Sequence, residues 1–240
     1  MSSVARNLEE IRERMSRAAE RSGRSLEDVT LVGVTKTLPI ERIREAIEAG
    51  VTHLGENRVQ EADSKFASAG GPDDVDKIGR DGITLHMIGG LQRNKARRAV
   101  ELFDWVQSVD RVELAMSLDK AASEIGMSAL PVLIEVNTTG EPAKSGVMPA
   151  ELPRLADALG ECKVLRGMGL MTVARINADE TELRQTFGGL KRLLEGLKAS
   201  HSGAGEWKHL SMGMSDDYEI AIEEGSTMVR LGRAVFGERA

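Results

Sequence analysis

The sequence is poor in cysteine, in aromatic residues and in long apolar runs. Its 240 residues contain one cysteine, and 3% of them are aromatic. A single cysteine, Cys162, excludes an internal disulfide and any metal site built from several cysteines. No apolar run approaches the roughly 20 residues that cross a bilayer. We therefore expect a cytoplasmic protein with no membrane partner.

Positive charge and several well-known catalytic motifs are also missing. The formal net charge is −6, which gives no electrostatic reason to expect nucleic acid or an anionic membrane as partner. The N-terminus is charged and lacks the apolar core of a signal peptide. No GxGxxG follows the first strand, and no serine lies in a GxSxG elbow. His, Asp and Glu show no metal-ligand spacing, so we predict no metal site.

The chain does contain a regular alternation of short apolar runs and amphipathic segments. Val29–Val34 is typical of a strand buried on both faces, and the helix after it ends at Gly50 and leads directly into a second strand. The helix-to-strand segment AIEAGVT at 46–52 is echoed by AIEEGST at 221–227. Further strands are predicted at 83–88, 104–109, 131–136, 164–171, 206–210 and 227–231. Helices are predicted at about 3–22 and at 57–66, 92–102, 111–125, 149–159, 180–197 and 216–224, with a loop at 67–82.

Eight strands separated by helices or long connections imply a parallel sheet. The sequence therefore predicts an α/β fold, a single-domain (β/α)8 TIM barrel over residues 1–240 with an extra N-terminal helix. A doubly wound open sheet is the alternative. In both folds, ligands bind at the carboxyl ends of the strands.

Lys36 lies at the carboxyl end of the first strand. A lysine in a barrel mouth is desolvated, which lowers its pKa and makes it a nucleophilic amine able to form Schiff bases with carbonyl ligands. A rim lysine without function is the alternative interpretation.

Two glycine-bearing segments follow the last two strands. LSMGMSDD at 210–217 places Ser211, Gly213 and Ser215 before a helix, where Asp216 competes with Ser215 as the cap. MVRLG at 228–232 contains Arg230 and Gly232. Barrels often hold phosphate in the loops after strands seven and eight. Together with Lys36 these segments favour a phosphate-bearing aldehyde ligand, whereas a helix cap and a turn glycine are the simpler alternative.

Two other features have simpler explanations. His86, a lone histidine in a strand, is more typical of a hydrogen-bonded core residue than of a ligand contact. The basic run Arg93, Lys95, Arg97 and Arg98 is most simply a solvated helix face, with RNA binding as the alternative.

Seven motifs together resemble the YggS/PROSC family of pyridoxal phosphate homeostasis proteins. They are VGVTKT, HLGENRVQE, HMIGGLQRNK, KSGV, GLMTVA, LSMGMSDD and GSTMVRLGRAVFG. The resemblance implies a barrel similar to the N-terminal domain of alanine racemase, with pyridoxal 5′-phosphate (PLP) held as a Schiff base on Lys36. It also implies that Arg230 faces the pyridine nitrogen and that Asn57 and Met171 line the pocket. The implied phosphate site comprises Ser211, Gly213, Ser215, Gly232 and Arg233.

The resemblance favours a binding protein over an enzyme. A permanent cation at the pyridine nitrogen disfavours ring protonation, which makes the ring a poorer electron sink. Alanine racemase adds a tyrosine base from a further domain, whereas this chain stops soon after strand eight and we expect its one tyrosine, Tyr218, to be exposed. We expect a monomeric carrier of PLP, with apo PLP-dependent enzymes as candidate partners. The alternatives are a racemase-type enzyme with Lys36 as base and a barrel that binds another sugar or nucleotide phosphate.

Overall fold

The computed structural model describes residues 2–66, 77–141, 144–201, 203 and 205–238. Within them, eight parallel strands pair in chain order, and β8 pairs back to β1 to close a barrel. The strands are β1 Thr30–Val34, β2 His53–Glu56, β3 Thr84–Met87, β4 Trp105–Val109, β5 Leu130–Glu135, β6 Leu165–Met171, β7 Gly205–Ser211 and β8 Met228–Leu231. The helices are α1 Ser3–Arg21, α2 Ile40–Glu48, α3 Val59–Lys65, α4 Ala96–Leu102, α5 Val112–Glu124, α6 Leu152–Gly160, α7 Glu180–Ser200, α8 Tyr218–Glu223 and α9 Arg233–Phe236. The predicted (β/α)8 barrel is confirmed.

The extra N-terminal helix is also confirmed. The Ser2 hydroxyl caps α1 by accepting a hydrogen bond from the Ala5 N–H at 3.2 Å. The predicted apolar stripe is buried, and its members are Val4, Leu8, Ile11, Met15 and Ala18. This stripe packs α1 against α2, α8 and α9. Helix α1 therefore covers the outside of the barrel where β1 and β8 meet.

The sequence echo corresponds to one structural motif used twice. After α2, the Val51 N–H donates to the Ala46 carbonyl at 2.9 Å, and after α8 the Ser226 N–H donates to the Ala221 carbonyl at 2.8 Å. These bonds are those of a Schellman motif, in which a left-handed glycine ends the helix. Each motif feeds a strand, so both turns deliver their strands into the barrel in the same way.

Some predicted boundaries were wrong. Helix α3 begins at Val59 rather than residue 57, and the predicted helix at 92–102 is a 3-10 turn, Arg93–Lys95, followed by α4. Helix α8 begins at Tyr218 because the preceding residues form a turn, in which the Asp217 carboxylate accepts from the Met214 N–H at 2.5 Å. Asp217, not Asp216 or Ser215, is the residue at the cap position. Most of the predicted loop at 67–82 lies outside the described residues.

The predicted exposure of Tyr218 was also wrong. Its side chain is 1% exposed, because α8 packs against α1 and the Arg14 guanidinium lies 5.4 Å from the centre of the ring. Burial raises the pKa of its phenol. Among the described residues its hydroxyl has no hydrogen-bond partner.

No helix in the described part of the chain combines the length and apolarity that a membrane crossing needs.

Candidate functional site

A cavity of about 350 Å³ opens at the carboxyl ends of β1 and β8. Five of the predicted site residues line it: Lys36, Ser215, Arg230, Gly232 and Arg233. Its other lining residues are Val34, Met214, Asp216 and Glu238. The barrel closure explains the arrangement, because pairing of β1 with β8 brings the two ends of the chain to one mouth.

Unused hydrogen-bond donors lie on one side of this cavity. The Arg230 N–H donates to the Gly213 carbonyl at 2.9 Å, which joins β8 to the turn after β7. Because the N–H groups of a strand alternate in direction, the Gly232 N–H points to the same side. Within the described chain, neither the Gly232 nor the Arg233 N–H donates to a backbone carbonyl. The Ser215 hydroxyl accepts from the Ala234 N–H at 3.1 Å and keeps its own proton available.

Gly213 makes this close approach possible. Its φ is +95°, and a Cβ added there would lie 2.6 Å from the Ala221 Cβ. A larger residue would therefore push the turn away from α8 and out of reach of β8. Gly213 shapes the site through its backbone.

Arg230 forms the floor of the cavity. It is 4% exposed and donates to the Ser211 hydroxyl at 2.7 Å and to the Thr172 carbonyl at 2.8 Å. Burial lowers its pKa to about 10, while the charges of Glu135 and Asp217 act in the opposite direction. Arg230 therefore remains a cation at neutral pH, and two hydrogen bonds fix the plane of its guanidinium.

A line of hydrogen bonds continues from Arg230 through the barrel. The Ser211 hydroxyl donates to Gln107 Oε1 at 2.6 Å, Gln107 Nε2 lies 2.9 Å from His86 Nδ1, and His86 Nε2 lies 3.0 Å from His53 Nδ1. We call Ser211, Gln107, His86 and His53 the interior chain. Burial, with smaller effects from His53 and His209, lowers the pKa of His86 to about 3, so the ring is neutral. The core interpretation of His86 is confirmed.

A second buried network holds the segment that carries Lys36. Lys65 Nζ donates to Glu56 Oε1 at 2.9 Å, to Glu61 Oε1 at 2.6 Å and to the Thr35 carbonyl at 2.8 Å. The Glu61 carboxylate also accepts from the N–H of Thr37. We call Glu56, Glu61 and Lys65 the ionic cluster. It binds the residues on both sides of Lys36.

The ionic cluster also supports an unusual backbone conformation. Thr37 has a φ of +62°, which is rare for a β-branched residue. Burial raises the pKa of Glu56 despite its bonds to Lys65 and Thr35, and its Oε2 atom has no partner among the described residues. Sequence analysis missed this cluster, although Glu61 and Lys65 have the spacing of an ion pair on one helix face.

Four predicted site residues do not line the Lys36 cavity. Ser211 is fully buried, with its hydroxyl bonded to Arg230 and Gln107, and its contact with a phosphate stays a prediction. Met171 packs against Leu133 and Met228 inside the barrel. Gly213 lies behind the cavity wall, and Asn57 lines a separate cleft of about 390 Å³ beside β2 and β3.

Glu135 was not singled out by sequence analysis. It ends β5 and is 8% exposed. Burial, with the charge of Asp110, raises its pKa to about 7, and Arg230 opposes the shift. The residue therefore titrates near neutrality beside the barrel mouth.

The remaining candidates behave as surface or core groups. Arg97 pairs with Glu101 and Glu124, and Arg98 pairs with Glu101 and Asp63, as expected for a solvated helix face. Burial raises the pKa of the Cys162 thiol to about 11, which makes it a poor nucleophile. In the part of the chain that the structure describes, no group of three His, Cys, Asp or Glu side chains is placed to hold a metal ion.

Comparisons with known proteins place the chain in a family. Residues 6–240 match the family described as alanine racemase, N-terminal domain. The pyridoxal phosphate homeostasis protein of Escherichia coli K12 is 41% identical over 240 residues, covering 100% of this chain and 98% of the relative. The homologue from Pseudomonas aeruginosa, of the same name, is 39% identical over 239 residues, covering 100% and 97%.

Solved structures agree with the sequence relatives. PipY of Synechococcus elongatus, solved with PLP bound, is 33% identical with a TM-score of 0.81, covering 98% of this chain and 100% of PipY. Alanine racemase of Corynebacterium glutamicum is 16% identical with a TM-score of 0.64, covering 95% of this chain and 61% of the racemase, and shows the shared fold alone. The chain belongs to the alanine racemase N-terminal domain family and, within it, to the pyridoxal phosphate homeostasis proteins.

Proposed function

We propose that this protein binds PLP through Lys36 and holds it for delivery to other proteins, as part of PLP homeostasis. One observation carries the proposal: a lysine amine, a buried arginine cation and a set of unused N–H and O–H donors line a single cavity. Membership of the pyridoxal phosphate homeostasis family supports the choice of ligand.

The donor set fits PLP group by group. PLP supplies an aldehyde that bonds primary amines and a ring that withdraws electrons. Lys36 provides the amine. The Gly232 and Arg233 N–H groups and the Ser215 hydroxyl suit a phosphate, and Arg230 suits the lone pair of the ring nitrogen. The cavity volume, about 350 Å³, falls within the roughly 300–1,000 Å³ of small-molecule sites.

The cation favours storage of PLP over turnover. Arg230 keeps its charge at neutral pH, and a fixed cation opposite the ring nitrogen disfavours protonation of that nitrogen. We therefore propose that bound PLP is held in a form that stabilises carbanions poorly. Asn57 and Met171 are proposed to shape the surroundings of the pocket, Asn57 from the mouth and Met171 from the barrel interior.

A racemase-type enzyme with Lys36 as base is a second candidate, and one observation favours it. Glu135 lines a neighbouring cleft of about 190 Å³ at the carboxyl end of β5, and burial raises its pKa to about 7, a strength suited to proton transfer. An enzyme would exchange the α-proton of an amino acid with deuterated solvent at a catalytic rate, and Glu135→Gln would slow that exchange. A carrier would instead transfer PLP to an apo-enzyme, and Glu135→Gln would leave the transfer rate nearly unchanged.

Absorption spectroscopy tests the binding proposal. With added PLP we expect a band near ~420 nm, typical of an imine with lysine, that is absent in Lys36→Ala. Lys120→Ala is the matched control, because the Lys120 side chain is 79% exposed on α5, and it should keep the band. A colourless wild-type protein would contradict the proposal. Light scattering of the purified protein tests the expectation of a monomer.

A further inference from the structure

The interior chain has a definite hydrogen-bond direction. Arginine only donates, so Ser211 accepts from Arg230 at one end. Two arrangements of Gln107 are then conceivable, with its oxygen or its nitrogen toward Ser211. Ser211 is fully buried. If the Gln107 nitrogen faced Ser211, the proton of the Ser211 hydroxyl would have no acceptor among the described contacts.

Two further contacts agree with the oxygen facing Ser211. The separation from Ser211 Oγ to Gln107 is 2.6 Å, which is typical of an O–H donor rather than an amide N–H donor. Gln107 Nε2 also lies 3.7 Å from the sulfur of Met228, which can only accept. The amide therefore donates to Met228 and to His86 Nδ1. The neutral His86 ring must carry its proton on Nε2, and it donates that proton to His53 Nδ1.

The interior chain contains no charge that would neutralise Arg230. Each of its members is neutral, and within the described part of the chain neither Glu135 nor Asp217, whose charges act on Arg230, is hydrogen-bonded to its guanidinium. Ser211 therefore orients the guanidinium without adding a charge that would offset it. A carboxylate in place of Gln107 would offset part of that charge at short range.

We propose that Gln107 and His86 are positioning residues, which act through Ser211 to fix Arg230 without adding a charge that would weaken its effect on the bound ring. The effect on the ring rests on the proposed function, whereas the direction of the chain does not. The last member of the interior chain is His53, which lines a second cavity of about 270 Å³ at the amino ends of β1 and β2. His53 must stay neutral, because its Nδ1 already accepts from His86.

The surroundings of the histidines are consistent with neutral rings. Burial lowers the pKa of His53, opposed by the charge of Asp104, and Arg12 lines the same cavity. His86 faces His53 and His209, and the Trp105 ring lies 5.8 Å from it. Burial also lowers the pKa of His209, with Lys208 acting in the same direction and Glu206 in the opposite one.

Nitrogen NMR of histidine-labelled protein tests the direction without any ligand. Single His→Asn variants assign the signals. We expect His86 to show an unprotonated Nδ1 and a protonated Nε2 from about pH 6 to about pH 8. In Gln107→Glu the carboxylate can only accept, so His86 should move its proton to Nδ1. A wild-type His86 protonated on Nδ1 would overturn the proposed direction.

Spectra of PLP-loaded protein test the effect on Arg230. In Gln107→Glu we expect the pH midpoint of the absorbance change of the bound ring to rise by about one unit, because a nearby carboxylate offsets the arginine charge. Gln107→Met, which keeps the shape but adds no charge, should shift it far less. Equal midpoints in wild type and Gln107→Glu would overturn the role toward the ring. If none of the three proteins binds PLP, the proposed function fails together with that role, while the NMR result still decides the direction.

Discussion

Two buried polar networks lie behind the two ends of the candidate site, and they are built differently. The ionic cluster behind Lys36 joins one lysine to two carboxylates within 2.9 Å. The interior chain behind Arg230 links neutral serine, glutamine and histidine side chains. The first surrounds a segment with a strained Thr37, whereas the second supports a side chain already anchored to the Thr172 carbonyl.

The difference corresponds to the role that the proposed function gives each residue. Lys36 must present an amine at one point of the cavity. Charge pairing around its backbone stabilises the strained conformation of Thr37, which is unfavourable on its own. Arg230 must present a charge, so ion pairing directly behind it would weaken its effect on a ligand. The two sides of the site therefore differ in where buried charge is placed: around the backbone of Lys36, but not directly behind Arg230.

Breaking the ionic cluster should have the largest effect on stability. Lys65→Met leaves Glu56 buried without its cation, which should lower the free energy of unfolding by about 3–5 kcal/mol near neutral pH. Since burial raises the pKa of Glu56 in the folded protein, the loss should shrink as the pH falls through that pKa and the acid becomes neutral. Denaturant titrations at several pH values measure both effects.

The matched control for this prediction is the double variant Lys65→Met, Glu56→Gln. It removes both buried charges and should recover much of the stability, since a neutral amide is less costly to bury. A double variant as unstable as the single one would contradict the role assigned to the buried charge.

The ionisation of the Glu135 carboxyl, whose charge acts on Arg230, should depend on pH near neutrality. Its folded-state pKa, about 7, lies above its usual value, so the folded protein holds an extra proton between about pH 4.5 and about pH 7. The free energy of unfolding should therefore fall as the pH rises through this window, by at most about 3.4 kcal/mol. Glu135→Gln should flatten that part of the profile. A profile unchanged by the substitution would show that Glu135 titrates normally.

Gln107→Met should cost less than breaking the ionic cluster. It leaves the buried His86 Nδ1 without a partner, at a cost of about 1–3 kcal/mol, while the Ser211 hydroxyl loses its acceptor but still accepts from Arg230. Because the interior chain is neutral, the loss should vary little between about pH 6 and about pH 8. A strongly pH-dependent loss would mean that the interior chain carries charge, which would remove its difference from the ionic cluster.

The smallest effect is expected at the proposed phosphate end of the site. Ser215→Ala removes one hydroxyl donor and should weaken PLP binding roughly tenfold, as expected for one hydrogen bond to a charged group. Pyridoxal, which lacks the phosphate, should bind wild type and variant alike. Equal loss for both ligands would place Ser215 elsewhere than at the phosphate.

The fold could be predicted from the sequence because eight apolar strand segments are separated by amphipathic helices or long connections, and glycines mark the ends of several helices. It also predicted that Lys36, Arg230 and Gly232 lie at one pocket, since each lies near the carboxyl end of β1 or β8. The interior chain could not be predicted in this way. Its members come from β2, β3, β4 and β7, and periodicity indicates which residues face inward but not which of them pair.

Two local features that the sequence did not reveal have the same origin. Ser211 and Ser215 are four residues apart in one motif, but only Ser215 lies beyond the end of β7 and reaches the cavity. Tyr218 is buried because α1, which comes from the other end of the chain, packs over α8. Both outcomes depend on tertiary contacts that local sequence does not encode.

The most direct test of this account is to locate the covalent attachment. Protein loaded with PLP is reduced with borohydride, digested and analysed by mass spectrometry. One modified lysine, Lys36, is expected at nearly full occupancy, with no modification of Lys36→Ala under the same conditions. Modification of another lysine at similar occupancy, or no modification at all, would contradict the account.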